Sequence, residues 1–197
     1  ASSSLTSMIG ECGLHFYKIG RIATIMSEMK SLTTPYYVIY KNLIEGNHTV
    51  LLLEYNQDKD FFLDPKDALK GLLETEEGQR RKVLTKSSYV IVASRIGFKD
   101  QKIISGKISS LTNTDFGKPP HTVIIPGRLH FTESDALKLF GECIDEPFDN
   151  SEKTQKISIQ MMRKYVPMVR EALEEIEPYY KNQKEFEVIL ENAELYI

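Results

Sequence analysis

Apolar positions recur along this chain in two rhythms, one of period near 3.6 and one nearly continuous, and the two alternate. After the hydroxyl residues Ser2, Ser3, Ser4, Thr6 and Ser7, an apolar-periodic segment follows that is broken by Gly10 and Gly13. Residues 22–25 read as a strand and residues 30–35 as a loop. Tyr37, Ile39/Tyr40 and Leu43/Ile44 fall at helical spacing over residues 36–45, and Gly46 suits the left-handed position after the last turn. The run TVLLLEY at 49–55 reads as a strand buried on both faces, and residues 58–60 are loop-like. Asp64 is placed to cap a helix whose first residue is Pro65, with Ala68, Leu69, Leu72 and Leu73 as its apolar face. Residues 87–96 form a further strand, and the weak alternation of 102–108 suits a hairpin partner beside it. Residues 110–115 read as a polar turn. Pro119-Pro120 forbids helix, and residues 121–126 form another core strand. Residues 132–135 open a helix over Ala136, Leu137, Leu139 and Phe140. Such alternation predicts an α/β fold, a sheet layered with helices.

The pattern breaks at EPFDNS, residues 146–151, which is turn-rich and aperiodic. A domain of residues 1–146 is therefore expected, followed by an appendage over 147–197. In the appendage Tyr165, Val169, Ala172, Leu173, Ile176 and Tyr180 make one helical stripe, and Phe186, Ile189, Leu190 and Ala193 make a second. Pro178 lies between them, so a helical hairpin is expected. From Pro147 on there are 10 acidic and 7 basic residues, so all of the net charge of −3 lies there.

That charge argues against a general nucleic-acid binder. No apolar run approaches the roughly 18 residues that cross a bilayer, and no basic-then-apolar leader is visible, so neither nucleic acid nor membrane is expected as a partner. Cys12 and Cys143 form neither a disulfide framework nor a metal spacing, which suits a reducing cytoplasm.

Side-chain chemistry is sparse. There is no Gly-rich phosphate loop of a known pattern. His15, His48, His121 and His130 have no His, Cys or carboxylate at metal-ligand spacing, so no metal is expected. No nucleophile–base pair can be argued from spacing, and the catalytic residues stay unassigned. The cluster 79–82 reads as a solvated helix end, and Lys18 as an isolated charge. The hydroxyl-rich start could cradle a carboxylate or phosphate on free backbone N–H groups, or act as an ordinary helix cap.

Four blocks in order carry a resemblance: GLHFYKIG at 13–20, GNHTVLLLEY at 46–55, SRIGFKDQKI at 94–103 and DFGKPPHTVIIPGRLH at 115–130. They resemble the diphthine synthase family, methylases of the tetrapyrrole-methylase fold that use S-adenosylmethionine (SAM), and the resemblance covers roughly residues 3–143. The resemblance implies the C-terminal domain of that fold, a mixed sheet flanked by helices, with the helical appendage added. It also implies SAM as cofactor, translation elongation factor 2 as protein substrate, methylated on the amino group of a modified histidine in diphthamide biosynthesis, and a homodimer. By the same resemblance Ser4, Leu5, Leu53, Ile96 and His121 hold the cofactor, largely through backbone and small polar groups. Methyl transfer from SAM suits sparse side-chain chemistry, because the sulfonium already leaves readily and the enzyme chiefly aligns acceptor and methyl. Two departures stand out: Ser94 where the family usually has Ala, and Leu5 where it usually has Ile. The family's N-terminal domain has no counterpart here, so the chain is expected to be a C-terminal part and a poor catalyst alone. Two rivals remain: a methylase of the same fold acting on a small molecule, and a non-catalytic interaction module.

Overall fold

The computed structural model describes residues 4–151 together with Pro167, Met168 and Glu171. The chain divides into two compact units, Ala1–Thr154 and Gln155–Ile197. The expected hairpin beyond Tyr165, and the hydroxyl run before Ser4, lie outside the described residues.

The first unit opens with helix α1 (Ser4–Glu11), and strand β1 (Ala23–Ile25) follows. Helix α2 (Thr33–Glu45) begins earlier than the periodicity predicts, behind a 3-10 turn at Met29–Leu32. Pro35 is compatible with this because it sits in the first turn, where its missing N–H would have no intrahelical partner. Gly46 ends α2 in the left-handed region, φ 76°, as the sequence predicts. Strand β2 (Thr49–Leu53) is shorter than the apolar run. Tyr55 turns away into a separate two-stranded ribbon of β3 (Tyr55–Asn56) and β4 (Phe61–Phe62).

Helix α3 (Pro65–Gln79) starts as expected, with the Asp64 carboxylate accepting the Lys66 N–H at 2.7 Å. Strand β5 (Tyr89–Ser94) is buried throughout and pairs antiparallel with β6 (Lys102–Lys107), the hairpin that the alternation suggests. The expected turn after it is in part a helical turn, α4 (Ile108–Leu111). Strand β7 (His121–Ile125), helix α5 (Phe131–Phe140) and the short β8 (Glu142–Cys143) complete the unit.

Six strands make one mixed sheet in the order β1–β2–β7–β5–β6–β8. β1 and β2 are parallel, as are β6 and β8, and the three inner pairings are antiparallel. Side chains alternate across it with period two. Leu51, Val90, Val92, Val123 and Ile125 face one core with Ile39, Leu43, Leu69 and Leu72 of α2 and α3. Val50, Tyr89, Ile91, Ala93 and Ile124 face the other with Met8 and Ile9 of α1 and Leu137 of α5. Because both faces are covered, the strands read in sequence as apolar runs.

Residues 147–151 are held to the sheet rather than standing free of it. The buried Asn150 side chain accepts the Tyr89 N–H at 2.8 Å and donates to the Tyr89 and Pro126 carbonyls, each at 2.7 Å. Among the described residues no helix is long and apolar enough to cross a membrane.

Candidate functional site

Antiparallel pairing brings the C-terminal ends of β2 and β5 and the N-terminal end of β7 to one end of the sheet. Leu52 pairs with Thr122, and Ser94 with His121. Three of the five candidate residues therefore converge there. Leu53 closes β2 opposite Ile25, Ile96 lies two residues past β5, and His121 opens β7. All three are half-buried. Leu53 packs toward the α2/α3 core, whereas Ile96 packs toward the α1/α5 core, where Leu5 also sits. Ser4 opens α1. None of the five lines the clefts of about 560, 260 and 60 Å³ found elsewhere on the unit.

This end of the sheet is tightly built. Arg95 adopts a left-handed backbone, φ 52°, and its N–H donates to the Pro120 carbonyl at 3.0 Å. Its guanidinium donates to Pro119 O at 3.1 Å and to Asp100 at 2.8 Å, and lies 4.3 Å from the Phe98 ring centre. The His121 ring is fixed by Ser94, whose buried hydroxyl shares a 2.9 Å hydrogen bond with Nδ1. Nε2 has no partner among the described residues. Burial pushes the imidazole pKa below its ordinary value, against a partial opposing pull from Asp64 and Asp115. A neutral ring, two apolar side chains and strand-end peptide groups can hold a flat, largely uncharged heterocycle. Sequence spacing missed the Ser94–His121 bond because the two residues meet only through the β5–β7 register.

A second polar cluster also escaped the sequence. Glu133 is buried and its carboxylate accepts four hydrogen bonds: from Lys18 Nζ at 2.6 Å, His48 Nε2 at 2.9 Å, and the N–H groups of His15 and His130, each at 2.8 Å. Lys18 is thus no isolated charge, and it also donates to the Arg128 carbonyl. Gly127 N–H donates to His48 Nδ1 at 2.9 Å, which leaves the proton of that ring on Nε2, aimed at Glu133. Burial alone would raise the Glu133 pKa, but the bonds from His48, Lys18, His130 and His15 outweigh it and hold the carboxyl well below the usual range. The sequence places the start of α5 at Thr132. The cap is instead His130, which with Glu133 forms a capping box.

The basic cluster after α3 is likewise more than a solvated helix end, because Arg81 lies over the rings of Tyr37 and Tyr40, at 5.3 and 5.6 Å from their centres. Among the described residues no group of three His, Cys, Asp or Glu could hold a metal ion.

No family model matches the chain. Curated proteins do. It is 42% identical over 143 residues to a protein of Methanococcus maripaludis strain C5 named diphthine synthase, covering 72% of this chain and 56% of that one. A diphthine synthase of Methanocaldococcus jannaschii is 39% identical over 145 residues, with the same coverage. One of Saccharolobus solfataricus is 39% identical over 133 residues, 66% of this chain and 51% of its own. A solved diphthine synthase structure superposes with a TM-score of 0.63 at 26% identity, over 80% of this chain and 56% of that one. A conserved hypothetical protein of Aeropyrum pernix K1, at 20% identity and a TM-score of 0.68, shares the fold. The chain spans about half the length of the curated relatives it matches, 56% of the first.

Proposed function

The chain belongs with the diphthine synthases over the part of their length that it spans, and from that premise we propose that it is the C-terminal part of a SAM-dependent methyltransferase of diphthamide biosynthesis. Its acceptor is the amino group of the modified histidine on translation elongation factor 2. The protein works in the cytoplasm as a homodimer. Leu53, Ile96 and His121, with Ser4 and Leu5 of α1, are its cofactor-holding residues.

The observation that carries this reading is the meeting of Leu53, Ile96 and His121 at one sheet end, in a chain about 40% identical to named diphthine synthases. The residues there fit the adenosyl part of SAM. Half-buried apolar side chains flank a ring without charge, and Nε2 of His121, without a partner among the described residues, is a hydrogen-bonding group. When bound, SAM supplies an activated methyl group. The contribution of this chain is to hold and orient it, because Ser94 and the Arg95–Pro120 bond keep His121 and its backbone from shifting.

The test is transfer of labelled methyl from SAM. The chain, supplied with the N-terminal half of the Methanococcus maripaludis relative, is incubated with elongation factor 2 carrying the unmethylated residue. Label in the factor is expected. Label only in an added tetrapyrrole, or no SAM binding, would overturn the reading.

A further inference from the structure

A cleft of about 560 Å³ opens between α3 and α4. It lies beside the β6 end that pairs with Tyr89, whereas Ser94 and His121 sit at the opposite end of β5. Its volume is in the range of small-molecule sites, roughly 300–1,000 Å³. Its apolar side is the half-buried Leu73, backed by the core residues Leu69 and Leu111. Lys66, Lys70 and Lys86 surround it, against Asp67 as the one carboxylate that lines it among the described residues.

These ammonium groups are poorly compensated. Lys70 reaches Glu74 only at 4.0 Å and is largely exposed, a geometry worth little in water. Lys66 and Lys86 have no ion pair among the described residues. The concentration of positive charge is local, because residues 1–146 carry 18 acidic and 18 basic residues. An anion at the rim relieves the mutual repulsion of the three lysines. A bare inorganic ion would leave the apolar wall wet, whereas a ligand with an apolar body uses both halves of the cleft.

We propose that this cleft binds a small amphipathic anion, a carboxylate or phosphate monoester on an apolar body. The head sits among Lys66, Lys70 and Lys86, and the body lies against Leu73.

The test is a titration of the isotopically labelled 197-residue chain with decanoate, decyl phosphate and decyltrimethylammonium, each below its micelle concentration, followed by amide shifts. Saturable shifts in segments 66–73 and 108–113 are expected with one or both anions and not with the cation. Preference for one anion identifies the head group. The double variant Lys66→Gln/Lys86→Gln, its spectrum otherwise unchanged, should bind about tenfold or more weakly. The proposal is overturned by equal binding of the cation, by undiminished affinity in the double variant, by shifts confined to other regions, or by no saturable shift at all.

Discussion

Replacing Glu133 by Gln keeps the shape of the side chain and removes its charge, which makes it a sharp probe of the buried cluster. In the native protein Oε1 accepts from His48 Nε2 and the His15 N–H, and Oε2 from Lys18 Nζ and the His130 N–H. An amide has one acceptor oxygen. Whichever way it turns, its NH₂ faces two donors that no longer have a partner. Removing one member of a buried ion pair costs about 3–5 kcal/mol. Here Lys18 keeps a path to water, with 17% of its side chain exposed, and retains the Arg128 carbonyl. The lower end, about 3 kcal/mol, is therefore expected, or a melting temperature lower by roughly 6–12 °C in a chain of this size. The pH dependence separates a charge effect from a packing effect. The folded pKa of Glu133 lies below its unfolded value of about 4.3, so its contribution is full above that pH and is lost as pH falls toward the folded value. Urea unfolding of both proteins from about pH 3 to 7 should show the native advantage shrinking as acid is added. A loss below about 1 kcal/mol at neutral pH, or a loss independent of pH, would refute the view that the cluster is organised around a buried anion.

Four further outcomes are expected. Leu53→Asp and Ile96→Asp, each folded by circular dichroism, should weaken SAM binding at least about tenfold by calorimetry, because each sets an unpaired carboxylate against an apolar flank; unchanged affinity in both would remove these strand ends from the cofactor site. His121→Asn should keep most of the methylation rate, since the ring is held by Ser94 and no carboxylate among the described residues is bonded to it; a kcat loss beyond about a hundredfold with SAM binding intact would mark an acid–base role instead. Glu76→Ala should cost about 2–4 kcal/mol in urea unfolding, because that carboxylate accepts the Tyr36 hydroxyl and the N–H groups of Lys82, Val83 and Leu84; an unchanged midpoint would show that the 80–84 turn holds without it. Asn150→Ala should cost about 2–4 kcal/mol by the same assay, whereas ending the chain after Thr154 should leave the first unit folded; the reverse outcome would tie that unit's stability to residues beyond 154.

The strands and long helices were legible because their signals are local. β5 and β7 lie between two covered faces and so read as apolar runs, and α3 carries its own cap and proline. α4 and β8 span too few residues, 4 and 2, to show a period, and were missed. The side-chain clusters were illegible for a different reason. Lys18, His48 and Glu133 are joined across separations of 115 and 85 residues, and only the pairing of strands and the docking of α5 bring them together. This bears on what the four resembling blocks mean. GLHFYKIG supplies His15 and Lys18, GNHTVLLLEY supplies His48, and DFGKPPHTVIIPGRLH supplies Gly127, Arg128 and His130, all bonded to Glu133 or to its partners. Gly127 must be glycine because a Cβ there would run into the Asn47 backbone carbonyl, and its N–H settles the His48 tautomer. Three of the blocks therefore meet at one buried structural anion. The proposed cofactor-holding residues Leu53, Ile96 and His121 lie in the second, third and fourth blocks, at or just past strand ends. The same stretches thus brace the sheet through Glu133 and supply the strand ends proposed to hold the cofactor.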